Sequence, residues 1–324
     1  MLLAGSVLAA EPLPALRADA HGVTVSGLSS GGAMAVQFHV AHSANVSGAG
    51  VIAGAPYYCA QNSLWTALFN CMAPGPWTPV PSASHLSALS EILAKANRID
   101  PLKNLAGAPV WLFSGSLDRT VYPEVVKELR RFYELRGASS VLVIDRPAGH
   151  AVATQSAGNA CAASEPPFIN ACAYDSAGEL LKRLLGKLNA PSDATDDRLR
   201  SFDQKAFGDA GLDEEGFVYV PRACESQACR IHVAFHGCRQ NARAVGERFV
   251  REAGYNRWAG TNRLIVLYPQ AAASVSPWRF NPRGCWDWWG YTGANYPTRE
   301  GAQIRAVKAM LERLSSTPQL QSPR

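Results

Sequence analysis

Apolar residues cluster along the chain in two alternating patterns. Seven short runs, at 22–27 (GVTVSG), 46–54 (VSGAGVIAG), 108–115, 139–145, 217–221, 230–237 (RIHVAFHG) and 263–270, are rich in Val, Ile, Leu and aromatic residues and read as strands. Several are apolar almost throughout, as strands buried on both faces require. Between most of them apolar residues recur at helical spacing, at about 31–41, 86–97, 123–136, 177–188, 243–259 and 299–314. Strands alternating with helices predict an α/β fold, a mainly parallel sheet with helices on both faces. The stretch 189–213 is polar and weakly periodic. It reads as a linker between two domains or as a long surface connection within one. The second reading is preferred, because the segments on either side of it complete one site.

Composition narrows the class. A chain of 324 residues that is 47% hydrophobic can bury a large core, so disorder throughout is excluded. The net charge of +5 comes from scattered Lys and Arg. In KELRRFYELRG the charges alternate around an amphipathic helix, a solvated face rather than a nucleic-acid stripe. No run of about 18 apolar residues predicts a membrane span. The opening MLLAGSVLAAE resembles the apolar and cleavage-site parts of a secretory signal, with Ala9 and Ala10 before Glu11, but without a basic leader. The stretch is either a signal that begins further upstream or an ordinary apolar N-terminus; the even cysteine count favours the first, so residues 1–10 are expected to be a signal-peptide remnant, and 315–324 (SSTPQLQSPR) a disordered tail.

Eight cysteines fall as Cys59/Cys71, Cys161/Cys172 and Cys224/Cys229 plus the distant Cys238 and Cys285. Such short separations read as loop staples. No CxxC pair or Cys/His cluster has zinc spacing, so disulfides outside the cytosol are favoured over metal.

The candidate chemistry starts in GLSSG, where Ser29 has glycine two residues before and two after it. G-x-S-x-G is short enough to arise by chance, and the bland reading is a glycine-rich turn with an ordinary serine pair. Its context is a strand before and a helix after, the setting in which a tight turn lifts a serine hydroxyl clear of the sheet. Ser30 lacks the glycine frame, but its backbone N–H opens the helix, where free donors favour an oxyanion.

A nucleophilic serine needs a base and a carboxylate that orients it. Asp118 lies in the loop after the strand at 108–115, and His150 in the glycine-flanked loop after the strand at 139–145. The order Ser, Asp, His is that of α/β-hydrolases. Among rivals, Asp145 ends its own strand and Asp287 sits among tryptophans. His39 and His42 follow the serine on its helix, His85 lies near another helix start, and His232 sits inside a strand.

A hydrolase of this kind takes a second oxyanion donor from a His-Gly loop on a strand preceding the nucleophile. Here that element, His236-Gly237-Cys238, comes after the histidine. Joining the C-terminus to the N-terminus restores the order oxyanion strand, helix, strand, helix, serine turn, aspartate, histidine. The expected fold is thus a circularly permuted α/β-hydrolase, one catalytic domain over 11–314.

GLSSGGAMA, GSLDRTVYP, AGHAV, AFHGCRQ and GCWDWWGY, in this order, resemble the circularly permuted extracellular poly(3-hydroxybutyrate) depolymerases that consist of a catalytic domain only. The resemblance covers the chain after residue 20. It implies Ser29 as nucleophile, Asp118 and His150 completing a triad, and the N–H groups of Ser30 and Cys238 as the oxyanion hole. It also implies secretion and action on a water-insoluble polyester. A Ser/Thr/Pro linker to a polymer-binding domain, common in other depolymerases of this polymer, is not found, which leaves amorphous polymer and soluble oligomers open as substrates.

Trp286, Trp288 and Trp289 are expected to form an aromatic wall for the aliphatic ester chain, core packing being the alternative. A Cys238–Cys285 disulfide would tie that wall to the oxyanion hole. The expected enzyme is a monomeric serine esterase without metal or cofactor, acting on polyester or oligoester and on neither nucleic acid nor membranes. The alternatives are a feruloyl or acetylxylan-type esterase of plant polysaccharide and a non-catalytic polymer-binding protein.

Overall fold

The computed structural model describes residues 11–193 and 196–318. The expected signal remnant at 1–10 and residues 319–324 of the expected tail lie outside the described residues. The order is β1 (Val23–Leu28), α1 (Ser30–Ala41), β2 (Val46–Ile52), α2 (Leu64–Phe69), α3 (Ala83–Lys95), β3 (Pro109–Phe113), α4 (Pro123–Leu135), β4 (Ser139–Val143), β5 (Val152–Thr154), β6 (Asn159–Ala160), β7 (Ile169–Ala171) and α5 (Ser176–Leu185). It continues with β8 (Leu199–Asp203), β9 (Glu215–Tyr219), β10 (Arg230–Phe235), α6 (Ala242–Val245), α7 (Arg248–Glu252), α8 (Tyr255–Thr261), β11 (Leu264–Tyr268) and α9 (Ala302–Ser315).

All seven apolar runs are strands of one eight-stranded sheet, ordered β4-β3-β2-β1-β10-β11-β9-β8. The six strands from β4 to β11 are parallel to one another, and β9 and β8 are antiparallel at one edge. The fold is therefore mixed α/β with a mostly parallel sheet. β1 and β10 lie far apart in sequence yet pair directly, Thr24 opposite His232 and Gly27 opposite Phe235.

Helices cover both faces. Adjacent strand residues point to opposite sides. A Cβ on Gly50 would meet Leu180 of α5, whereas Val51 Cγ1 packs against Gly32 of α1. Every residue of α1 is buried, so this helix shows no polar face. A stripe facing water is not needed by a helix enclosed all round. The described N-terminal segment meets the end of α9, where Leu16 and Ala18 N–H both donate to the Leu314 carbonyl.

Several expectations change. The continuous helix expected at 243–259 is three short ones, because Gly246 (φ 63°) and Gly254 (φ 95°) turn the chain between them. The polar stretch 189–213 enters the main sheet as β8, after the Ser192 N–H donates to the Arg257 carbonyl. Ser315, the first residue of the expected tail, ends α9. The small sheet β5-β7-β6 and the helix α2 have no counterpart in the expected elements.

Candidate active site

Ser29 stands between β1 and α1 at φ 58° and ψ −120°, a conformation L residues rarely adopt. Two close approaches hold it there. A Cβ on Gly27 would lie 2.3 Å from the Gly31 backbone, and one on Gly31 would lie 2.3 Å from the carbonyl oxygens of Phe235 and His236. Both glycines of G-x-S-x-G are thus demanded by contact, and the second lets the turn sit against the end of β10. The strain, about 1–3 kcal/mol for such a residue, is held by its surroundings.

Asp118 and His150 come together from the loops after β3 and β4. Asp118 is fully buried, and its Oδ1 accepts from the N–H groups of Thr120 (2.8 Å) and Val121 (3.0 Å). Its Oδ2 lies 2.7 Å from His150 Nδ1. An ionised carboxylate only accepts, so the pairing puts the proton on Nδ1 and leaves Nε2 free as a base. The histidine loop is braced by the small sheet: Gly149 N–H donates to the Cys161 carbonyl and His150 N–H to Ser164 Oγ. The Cys161–Cys172 disulfide closes that brace.

Ser30 is the first residue of α1, and Cys238 follows β10. Neither amide has an acceptor among the described residues. The Ser30 hydroxyl accepts from the Trp286 N–H at 3.3 Å. His236 steadies the loop that carries Cys238: its Nδ1 lies 2.7 Å from the Gly237 carbonyl, and its Nε2 accepts from the Ala271 N–H at 3.0 Å. Burial pushes the His236 pKa down to about 4, so the ring is neutral and its Nε2 can accept.

A cleft of about 340 Å³ opens over these groups. Ser29, His150 and Cys238 line it together with Leu64 and Leu68 of α2, Phe168, Phe280, Trp288 and Trp289. Ser29 also borders a small recess lined by Ser30, Ala33 and Trp288. Trp286 departs from the expected aromatic wall. It is fully buried, packing edge-on against Phe235 (5.0 Å) and tilted against His236 (5.6 Å), a core residue beneath the cleft. Of the three tryptophans, Trp288 and Trp289 line the cleft.

All eight cysteines are paired, as Cys59–Cys71, Cys161–Cys172, Cys224–Cys229 and Cys238–Cys285. The last bond joins the loop after β10 to the tryptophan loop. Asp287 organises the latter, accepting from the N–H groups of Trp289, Gly290, Tyr291 and Thr292. Among the described residues no cluster of three His, Cys, Asp or Glu is placed to hold a metal. Sequence reasoning missed Leu64, Leu68, Phe168, Phe280, Arg239 and Arg283 as cleft residues. Leu64 and Leu68 sit in the short helix α2 and the other four in irregular loops, where no periodicity marks them.

No family model matches the chain. It is 44% identical over 321 residues to a poly(3-hydroxybutyrate) depolymerase of Delftia acidovorans, covering 96% of this chain but spanning 63% of the Delftia protein's length. It is 38% identical over 333 residues to a polyhydroxybutyrate depolymerase of Talaromyces funiculosus, covering 97% of this chain and 95% of that one. Among solved structures it is similar to the PHB depolymerase from Penicillium funiculosum, with a TM-score of 0.84, 35% identity, and 94% and 98% of the two chains covered. A PHB depolymerase carrying a serine-to-alanine change and complexed with an R3HB trimer matches with the same scores. With identity of this order running through nearly the whole of both chains, the chain belongs to the poly(3-hydroxybutyrate) depolymerase family.

Proposed function

We propose that this protein is a secreted serine esterase that hydrolyses poly(3-hydroxybutyrate) or its oligomers. The observation that carries the reading is a serine in a strained strand-to-helix turn that shares a cleft with a histidine, whose Nδ1 is held at 2.7 Å by a buried carboxylate. Ser29 Oγ attacks the ester carbonyl while His150 Nε2 takes its proton, and Asp118 stabilises the imidazolium through Nδ1. The N–H groups of Ser30 and Cys238 donate to the developing oxyanion. His150 then protonates the departing hydroxyl end, and water repeats the steps to free the acid.

Circular permutation of an α/β-hydrolase accounts for the chain order, and the pairing of β10 with β1 and the contact between Leu16 and Leu314 support it. Four disulfides support secretion. A water-insoluble substrate fits the exposed apolar side chains close to the cleft: Leu64 and Leu68 in its wall, Trp65 and Phe69 on the same helix, and Trp278 two residues before Phe280.

Ser29→Ala is the test. It should lower hydrolysis of nitrophenyl butyrate by at least about 10⁴-fold and abolish clearing of a poly(3-hydroxybutyrate) suspension, with an unchanged circular dichroism spectrum. Retained activity, or loss only in Ser30→Ala, overturns the assignment.

A further inference from the structure

Among the described residues no Asp or Glu lines the cleft, yet two arginines do, Arg239 and Arg283. Neither guanidinium has a carboxylate partner among the described residues. Both belong to loops that the fold holds tightly together. The Arg239 N–H donates to the Arg283 carbonyl at 2.7 Å, and the Cys238–Cys285 disulfide closes the same junction. Arg239 itself is strained, with φ 56° on a residue that is not glycine. Such strain persists only where the surroundings impose it, and it concentrates at sites that bind or react. The Arg239 guanidinium lies over the Phe168 ring, 5.2 Å from its centroid, and Phe168 in turn sits edge-on to His150 at 6.2 Å. The charge is therefore held one aromatic ring away from the candidate base.

Two cations in one wall that carries no acid among the described residues lack a counter-charge that an anionic ligand would supply. Polyester hydrolysis makes one with every turnover, since each cut leaves a carboxylate at a chain end. Guanidinium groups suit that group because they present paired donors to its two oxygens. We propose that Arg239 and Arg283 form a subsite for the free carboxylate end of a 3-hydroxybutyrate oligomer, which makes chain ends and short acids better substrates than internal stretches of chain. This rests on the esterase reading above.

The experiment compares a 3-hydroxybutyrate trimer with its methyl ester, following cleavage of the same internal ester bond. The wild-type protein should show kcat/KM about fivefold higher for the acid, the size of one partly exposed ion pair, and the preference should shrink in 0.5 M salt. In Arg239→Gln, in Arg283→Gln and in the double variant the ratio should fall towards one. Equal rates for the two substrates in the wild type, or a preference that survives in the double variant, overturns the subsite. A second arm does not depend on turnover. Calorimetry on Ser29→Ala should show the acid binding about fivefold more tightly than the methyl ester, and equal affinities refute the subsite even if neither compound is cut. Failure of the wild type to cut nitrophenyl butyrate refutes the esterase reading alone.

Discussion

At the floor of the cleft Asp118 is fully buried and each of its oxygens has a partner in the fold, whereas near the rim Trp278 is 92% exposed and Trp65 65%. The floor is made from loops at the carboxyl ends of adjacent parallel strands, and hydrogen bonds fix its geometry. The rim is made from the Cys59–Cys71 loop with α2, and from the segment between β11 and the tryptophans; disulfides hold these pieces. Buried polar groups must be satisfied or they cost stability, so the floor admits few arrangements. An apolar surface facing water has no such constraint, and its form answers to what it meets outside. On the proposed function the floor bears on bond cleavage and the rim on which chains arrive.

The largest effect that this contrast predicts is at Asp118. Asp118→Asn keeps the shape but offers an NH₂ group or a single oxygen to His150 Nδ1, which favours the wrong tautomer. A drop of about 10⁴ in kcat on nitrophenyl butyrate is expected, with KM little changed. If kcat falls less than tenfold while the protein remains folded, the floor does not orient the base, and the comparison breaks.

The two kinds of tryptophan sharpen the comparison next. Trp286→Ala removes a fully buried ring packed on Phe235 and His236, and should lower stability by about 3–5 kcal/mol in a urea titration. Trp289→Ala, at a half-buried position in the cleft wall, should cost less than about 1.5 kcal/mol and instead raise KM for the trimer. The reverse ranking would mean that the wall, rather than the layer beneath it, supports the fold.

These positions also show how far the sequence is readable. Most of the seven strands are legible because a strand buried on both faces must be largely apolar, β4 being a half-exposed exception with an apolar run of its own, and the neighbourhood of Ser29, Asp118 and His150 is legible because strand ends announce where loops converge. Trp286, Trp288 and Trp289 are not separable in sequence: a loop has no period, so nothing in WDWW says which ring turns inward. The three helices between 242 and 261 read as one, because a glycine inside a helix costs only about 1 kcal/mol, so Gly246 and Gly254 do not announce a break and the apolar spacing runs across them. LWTALF in α2 is apolar enough to pass for core, and its exposure follows from where Cys59 and Cys71 tether it. Arg239 and Arg283 meet only because two distant loops are joined, a fact of tertiary structure.

The smallest expected effect is at the rim. Trp65 and Trp278 stand well out of the fold, so replacing them removes little packing and little stability. What they offer is apolar area to an apolar solid, on the order of 1 kcal/mol each, or about fivefold in adsorption. A Trp65→Ser, Trp278→Ser double variant should therefore lower the ratio of polymer-film hydrolysis to nitrophenyl butyrate hydrolysis by about 25-fold. Film binding followed by depletion from solution should fall in parallel, because adsorption precedes any encounter with Ser29. If the ratio stays constant, the exposed tryptophans do not bring polymer to the cleft, and selection among chains belongs to the floor as well.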